Sequence, residues 1–272
     1  MYLTEKFCYL EMMRSGSTHL HKLFKEFAPE GKQIGHHGPP DKDIINSNRK
    51  FVGSIRDPWS WYLSVWSYGC ENGGHLHYRL TEKKIYFDHL GFKIKPYSFL
   101  YVFFQQFFKP LQQWRLLFND VDNYENFRKF LKMIYNKKRI YDLGDGYAFS
   151  PMNNFAGLMT YYYVNLHSSK RLLIFKKNFV DNYEQLRDFD KKYNLLDFTI
   201  KTNNLEEDFF KFFKINNYKI DLTKKDEVRN LVKTAKSSKQ KDLDYYYDKE
   251  TVELISLKEK FIIEKYNYKY ES

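Results

Sequence analysis

Residues 14–18, Arg-Ser-Gly-Ser-Thr, stand between an apolar segment and an amphipathic one. The first backbone N–H groups of a helix have no partner within the helix, and the helix dipole makes that end positive. Glycine lets a ligand approach the backbone closely, hydroxyls add hydrogen-bond donors, and arginine adds a planar cation. We therefore expect this segment to bind a phosphate or a sulfate. Its contacts would come from Arg14, Ser15, Gly16, Ser17 and Thr18.

The segment differs from the phosphate-binding loop of nucleotide triphosphatases, G-x-x-x-x-G-K-[ST]. It lacks the first glycine of that loop and the lysine that follows the second. A kinase-like P-loop enzyme acting on a small molecule is therefore only an alternative. Taken alone, the five residues are also compatible with an ordinary capped helix that binds nothing.

A second cluster lies around Arg56, which follows the β-branched segment 50–55. Asp57 and Pro58 are typical of a helix start. Ser64 stands eight residues after Arg56, about two helical turns later. We expect Arg56 and Ser64 to lie on one face, near the first loop.

Two histidines, His36 and His37, end the segment 32–37, which we predict to be a strand. Ligands of α/β sheets bind at the carboxyl ends of the strands, and imidazole suits proton transfer near neutral pH. Neighbouring side chains of a strand point to opposite faces, so only one of the two histidines would face a ligand. The alternative is that they only hydrogen-bond loop backbone.

Strands and helices alternate along the chain, which predicts an α/β fold with a central parallel sheet covered by helices. The predicted strands are 7–13, 32–37, 50–55 and 171–177. The predicted helices are 17–27, 41–48, 57–69, 154–166, 182–195 and 248–266, with mainly helices over 98–139 and a loop over 71–80. The apolar run 97–108 reads as a buried helix.

The composition narrows the function class. The chain has 272 residues and a net charge of +11, which favours an anionic partner. Only two cysteines occur, Cys8 and Cys70, so a disulfide framework is not expected. We found no signal sequence and no apolar segment long enough to span a membrane, and we expect a cytoplasmic protein.

Together, the two motifs resemble the sulfotransferases that use 3′-phosphoadenosine 5′-phosphosulfate. In that family a loop [K/R]-[ST]-G-[ST]-T after the first strand holds the 5′-phosphosulfate, and R-[DN]-P with a serine eight residues after the arginine holds the 3′-phosphate. The resemblance implies a three-layer sandwich similar to that of P-loop-containing nucleotide hydrolases. It also implies one domain, 1–272, with a helical insertion at roughly 75–150. Residues 14–18 would then bind the 5′-phosphosulfate of the donor, and Arg56 and Ser64 would bind its 3′-phosphate.

Similarity and departures both continue beyond these motifs. The segment 183–186, Tyr-Glu-Gln-Leu, looks like the Y-E-x-L helix of the family, and the Tyr-rich terminal helix looks like its last helix. Many relatives have lysine in the place of Arg14, tryptophan in the place of His19, and an R-K-G triplet that this chain lacks. Three lysines could serve as the basic clamp in place of this triplet, namely Lys236, Lys239 and Lys241. The alternative is that they are only a solvated, lysine-rich segment. Tryptophans 59, 61 and 66 fit the core better than an acceptor site.

The resemblance implies transfer of a sulfuryl group to a hydroxyl or amine of a glycan or small molecule, without a metal and without nucleic acid as partner. Arg14 would stabilise charge on the leaving oxygen, and a histidine would take the acceptor proton. The lysine-histidine pair of the family aligns with His36 and His37, which favours His37 as the base. Three further candidates are Glu71, His75 and His77. The alternatives are a non-catalytic basic module for nucleic acid or anionic glycan and, much weaker, a zinc site at Cys70, His75 and His77.

Overall fold

The computed structural model describes residues 1–35, 37–83, 98–144, 146–218 and 241–271. The fold is α/β with a five-stranded mixed sheet. The chain divides into two compact units. The sheet unit comprises 1–57, 162–171 and 190–237, and the helical unit comprises 58–161, 172–189 and 238–272. Residues 75–150, where we expect an insertion, fall in the helical unit.

The strands are β1 (Tyr2–Leu3), β2 (Phe7–Leu10), β3 (Lys32–Gln33), β4 (Lys50–Ile55) and β5 (Phe198–Lys201). Their order in the sheet is β3-β1-β2-β4-β5. β2, β4 and β5 are parallel, whereas β1 is antiparallel to β2 and β3. The prediction of a wholly parallel sheet is thus wrong at β1. The reason is a tight turn at Thr4, whose hydroxyl accepts from the Phe7 amide at 2.9 Å and reverses the chain.

The strand predictions succeed where a β-branched segment is buried. β4 is confirmed, while β2 and β3 are shorter than predicted. Residues Arg171–Phe175 form a 3₁₀ helix, so the predicted strand 171–177 is wrong. The adjacent side chains Ile174 and Phe175 are both buried and Leu172 is exposed, a pattern that does not alternate as a strand requires. β5 was not predicted.

Up to residue 134, the described residues form the helices α1 (Ser17–Phe27), α2 (Lys42–Ile45), α3 (Pro58–Cys70), α4 (His75–Thr81), α5 (Ser98–Phe108), α6 (Leu111–Leu116) and α7 (Tyr124–Ile134). The remaining helices are α8 (Leu158–His167), α9 (Tyr183–Tyr193), α10 (Leu205–Ile215), α11 (Leu243–Tyr246), α12 (Lys249–Lys258) and α13 (Lys260–Tyr266). The predicted loop 71–80 is partly helical, since α4 lies there. The predicted closing helix is divided in two at Glu259.

The core of the sheet unit is aromatic. Phe7 of β2 lies 5.1 Å from Phe24 of α1, and Phe24 lies 5.2 Å from Phe209 of α10, measured between ring centroids. α1 and α10 therefore cover the same face of the sheet with their apolar sides. On the other face an added Cβ at Gly53 would lie 3.0 Å from Nε2 of His167, so β4 and α8 approach closely there. This packing holds the carboxyl ends of β2, β4 and β5 at one edge.

In the helical unit the tryptophans are core residues, as predicted. Trp59, Trp61 and Trp66 are buried, and the Trp66 indole donates to the Leu117 carbonyl at 2.8 Å.

The helix predicted over 97–108 is present as α5, but the prediction that it is buried is wrong. Phe104, Phe107 and Phe108 are 60%, 60% and 74% exposed. None of the described helices is both long and apolar enough to cross a bilayer.

A buried carboxylate organises the start of α8. Glu259 is fully buried and accepts from the Thr160 amide at 2.9 Å and the Met159 amide at 3.1 Å. The hydroxyls of Tyr62 and Thr160 also donate to it. Burial raises the pKa of Glu259, and these donors oppose that rise. An anion at a helix N-terminus is favourable, so the Glu259 carboxylate stabilises the start of α8.

Candidate functional site

The loop between β2 and α1 contains two residues with a left-handed backbone conformation. Gly16, the residue before α1, has φ 81° and ψ 12°, and no side chain caps the helix. The positive φ favours glycine, and an added Cβ there would lie 2.5 Å from Cδ1 of Leu205, so that this side chain would have to move. Arg14 also has a positive φ of 59°. The first-turn amides of a helix face its N-terminal end, and for α1 that end is this loop.

A chain of buried hydroxyls fixes the loop to the sheet. The Ser15 hydroxyl donates to the Met12 carbonyl at 2.7 Å and lies 2.7 Å from the Ser54 hydroxyl, which is 2.7 Å from the Tyr9 hydroxyl. A carbonyl can only accept, so the direction of all three hydrogen bonds is fixed. The Tyr9 hydroxyl donates to Ser54, the Ser54 hydroxyl donates to Ser15, and the Ser15 hydroxyl donates to the Met12 carbonyl. The Ser15 hydroxyl is therefore used by the scaffold. Contact of this residue with a ligand would come from its backbone.

The remaining residues of the motif divide by exposure. Ser17 is buried, whereas Thr18 is exposed and presents its hydroxyl at the first turn of α1. Arg14 is half-buried. An exposed hydroxyl, a guanidinium and helix amides are the donor set that an oxyanion requires. The residues present thus fit a phosphate or phosphosulfate group.

The neighbouring strands end at the same edge. Leu10 of β2 pairs with Gly53 of β4, and Ile55 of β4 pairs with Lys201 of β5. Arg56 is the first residue beyond β4 and is half-buried. The Thr202 hydroxyl, just after β5, donates to the Ile55 carbonyl at 2.9 Å and ties the two strand ends together. Arg14 and Arg56 therefore follow adjacent parallel strands.

Ser64 lies two turns into α3, as predicted, and is 2% exposed. It belongs to the helical unit, whereas Arg56 belongs to the sheet unit. Joint recognition of one phosphate by the two residues stays a prediction.

His37 lies beside the loop that follows β2. Its Nδ1 atom is 3.1 Å from the Glu11 carbonyl oxygen, although β1 separates β2 from β3 in the sheet. The backbone of His37 has a positive φ of 51°, and its side chain is 39% exposed. Left-handed conformations of non-glycine residues are uncommon and often occur at functional sites. His36 lies outside the described residues.

A buried carboxylate below His37 was missed in the sequence. The Glu11 side chain is 5% exposed; its Oε2 lies 3.2 Å from Nε2 of His21 and its Oε1 lies 3.8 Å from Nδ1 of His37. Burial raises the pKa of Glu11, but the adjacent His21 ring and the charges of His37 and the Met1 amino group outweigh it and lower the pKa to about 2. In the sequence, the only sign of this carboxylate is a single acidic residue directly after an apolar strand.

His19, the residue after the predicted anion-binding segment, is buried on α1. Its Nε2 lies 3.9 Å from the Glu206 carboxylate of α10, and burial lowers its pKa. The side chain is therefore part of the α1–α10 contact. Among the three candidate lysines, Lys241 lies 3.3 Å from the Asp122 carboxylate, while Lys236 and Lys239 lie outside the described residues.

The other candidate bases and the zinc alternative lie in the helical unit. Glu71 follows α3, and His75 and His77 lie on α4, where the His77 ring packs 5.1 Å from that of Phe118. Burial raises the pKa of the Cys70 thiol to about 12, which disfavours the thiolate that binds metals. Within the described parts of the chain, no group of three or more His, Cys, Asp and Glu side chains is placed to hold a metal ion.

The chain was compared with protein-family models, with curated proteins and with solved structures. None of these comparisons found a match.

Proposed function

We propose that this protein is a sulfotransferase that moves a sulfuryl group from 3′-phosphoadenosine 5′-phosphosulfate to a hydroxyl or amine of a glycan or small molecule. The observation that carries the proposal is the position of His37 beside Glu11, the residue that leads from β2 into the glycine-containing loop. The glycine-containing loop 11–16 opens α1 at the carboxyl edge of the sheet, and His37 contacts that loop at 3.1 Å. An oxyanion cradle and a proton acceptor are the two groups that sulfuryl transfer needs.

The residues have distinct roles in this proposal. His37 takes the proton of the acceptor group as the acceptor oxygen or nitrogen bonds to sulfur. The bond between sulfur and the bridging oxygen breaks, and its electron pair stays on the phosphate as adenosine 3′,5′-bisphosphate leaves. Arg14 and the first-turn amides of α1 stabilise the charge on that phosphate. Arginine keeps its proton, so Arg14 acts by charge and not as an acid.

The parallel strands of the sheet support a proposal about the fold. We propose that the parallel β2-β4-β5 segment, with α1 and α10 on one face, is the nucleotide-binding part of a sandwich similar to that of P-loop-containing nucleotide hydrolases. Arg56, after β4, would bind the 3′-phosphate of the nucleotide, while a role of Ser64 in the same site stays a prediction from the sequence. The support is the parallel register, which places the ends of β2 and β4 side by side.

Ligand-dependent thermal unfolding tests the nucleotide half of the proposal. Adenosine 3′,5′-bisphosphate should raise the Tm more than adenosine 5′-phosphate at the same concentration, because only the former engages Arg56 as well as the loop. Mass spectrometry of glycan and metabolite extracts treated with the protein and the sulfuryl donor should then show acceptors carrying the added group. Equal shifts with both nucleotides, or stabilisation only by an oligonucleotide or an anionic glycan, would contradict the proposal and favour a basic binding module.

A further inference from the structure

The contacts of Glu11 with His37 extend the proposed function by one residue. Glu11 follows β2, and its carboxylate is almost fully buried between α1 and the segment after β3. Three positively charged or protonatable groups surround it: the Met1 amino group at 3.4 Å, Nε2 of His21 at 3.2 Å and Nδ1 of His37 at 3.8 Å. A buried carboxylate with this many partners has a fixed orientation.

The backbone of Glu11 determines the tautomer of His37. A carbonyl oxygen can only accept, so the 3.1 Å contact requires the hydrogen of the neutral His37 ring to be on Nδ1. The lone pair of the ring is then on Nε2, the nitrogen remote from Glu11. A proton taken from an acceptor would bind at Nε2.

The carboxylate of Glu11 acts after the tautomer is set. When His37 gains a proton it becomes a cation, and an anion 3.8 Å from its Nδ1 stabilises that cation. His21 contacts the other carboxylate oxygen and holds it in place. A carboxylate behind a histidine base, which orients the ring and stabilises its charged form, is a known arrangement of unrelated enzymes.

We propose that Glu11 is a positioning residue for His37, through its carbonyl for the tautomer and through its carboxylate for the charge that forms during proton transfer. This inference rests on the proposed function, because it needs His37 to be the base. It adds a residue that none of the sequence motifs contains.

A double-mutant cycle separates positioning from a structural role. Glu11→Gln keeps the backbone carbonyl and the side-chain shape but removes the charge. It should lower kcat by about 10- to 100-fold, less than the 10²- to 10⁴-fold typical for loss of a base, with little change in the acceptor KM or in bisphosphate affinity. In a His37→Ala background the same substitution should have almost no further effect. Glu30→Gln, an exposed carboxylate of the same unit, is the matched control and should behave like wild type.

A second measurement does not depend on activity. Long-range ¹H–¹⁵N spectra of histidine-labelled wild-type protein report which nitrogen of His37 carries the hydrogen, and the expected result is Nδ1. The Nε2–H tautomer, or an equal loss of kcat from Glu11→Gln with and without His37, would overturn the inference while leaving the sulfotransferase proposal intact. An Nδ1–H tautomer in a protein that neither binds the bisphosphate nor transfers a sulfuryl group would overturn the proposed function and, with it, the catalytic role of Glu11.

Discussion

The hydroxyls of Ser15 and Ser54 lie 2.7 Å apart in the buried interior of the sheet unit, and they connect the loop after β2 to the adjacent strand β4. The two residues are 39 positions apart in sequence. Because Ser54 also contacts the Tyr9 hydroxyl at 2.7 Å, a single side chain of β4 joins the loop to β2. The conformation of the loop after β2 thus depends on a buried residue of the adjacent strand.

Ser54→Ala should destabilise the protein by about 1–3 kcal/mol, because it leaves the buried Tyr9 hydroxyl without its acceptor. Urea unfolding of the purified variant measures the loss. Ser256→Ala on α12, where the half-buried Ser256 hydroxyl contacts the Val252 carbonyl at 2.7 Å within one helix, is the control and should change stability by less. Equal losses in the two variants would show that the hydroxyl chain adds nothing particular to stability.

Arg56→Ala should weaken binding of adenosine 3′,5′-bisphosphate about 10- to 100-fold, since hydrogen bonds from a charged group contribute about 1.5–3 kcal/mol. Binding of adenosine 5′-phosphate should change little. Isothermal calorimetry with both nucleotides gives the comparison. Lys50→Ala, which removes an exposed cation from the same strand, is the control. The assignment of the 3′-phosphate to Arg56 fails if both nucleotides lose affinity equally.

Arg14→Ala should lower turnover with an identified acceptor by about 10²- to 10³-fold, the effect typical of losing one oxyanion donor. The half-buried side chain of Arg14 is not part of the sheet core, so the variant should fold, and its Tm checks this. Lys22→Ala, an exposed cation on α1, serves as the matched control. Near-normal turnover of the Arg14 variant would remove Arg14 from the proposed mechanism.

The pKa of Glu11, lowered to about 2 in the folded protein, predicts an acid-dependent loss of stability. A carboxyl group with a lowered folded pKa stabilises the protein above its unfolded pKa, and this stabilisation is lost as the pH falls through the folded pKa. The loss between about pH 5 and pH 2 should be on the order of 3 kcal/mol.

Urea unfolding at a series of pH values measures this loss. Glu11→Gln should lack that part of the pH dependence, whereas Glu30→Gln should keep it. Parallel stability curves for wild type and Glu11→Gln would show that the contacts of Glu11 with Met1, His21 and His37 contribute no net pH-dependent stability.

The sequence was most informative where one local signal suffices. Asp57 and Pro58 after a β-branched segment placed the end of β4 and the start of α3 correctly, and Gly16 adopts the left-handed backbone that a tight strand-to-helix loop needs. These features could be predicted from the sequence because each depends only on residues that are neighbours in the chain.

Contacts between distant segments could not be predicted in the same way. Ser54 looks like a polar interruption of an apolar strand, and its role appears only when β2 and β4 are paired in register. Glu11 likewise needs His21 and His37, which come from two other segments. The strand β5 is only four residues long, too short for an alternating pattern to identify it. Each of these depends on tertiary pairing, which single-sequence periodicity does not contain.

The short outer strands have a consequence for self-association. The sheet is bounded on one side by β3, with two exposed residues, Lys32 and Gln33, and on the other by the four residues of β5. A long, flat outer strand offers unpaired N–H and C=O groups that a second chain can extend into a shared sheet, and short or lysine-bearing strands discourage this. In the described part of the chain, both outer strands of the sheet are therefore too short to pair extensively with a strand of a second molecule.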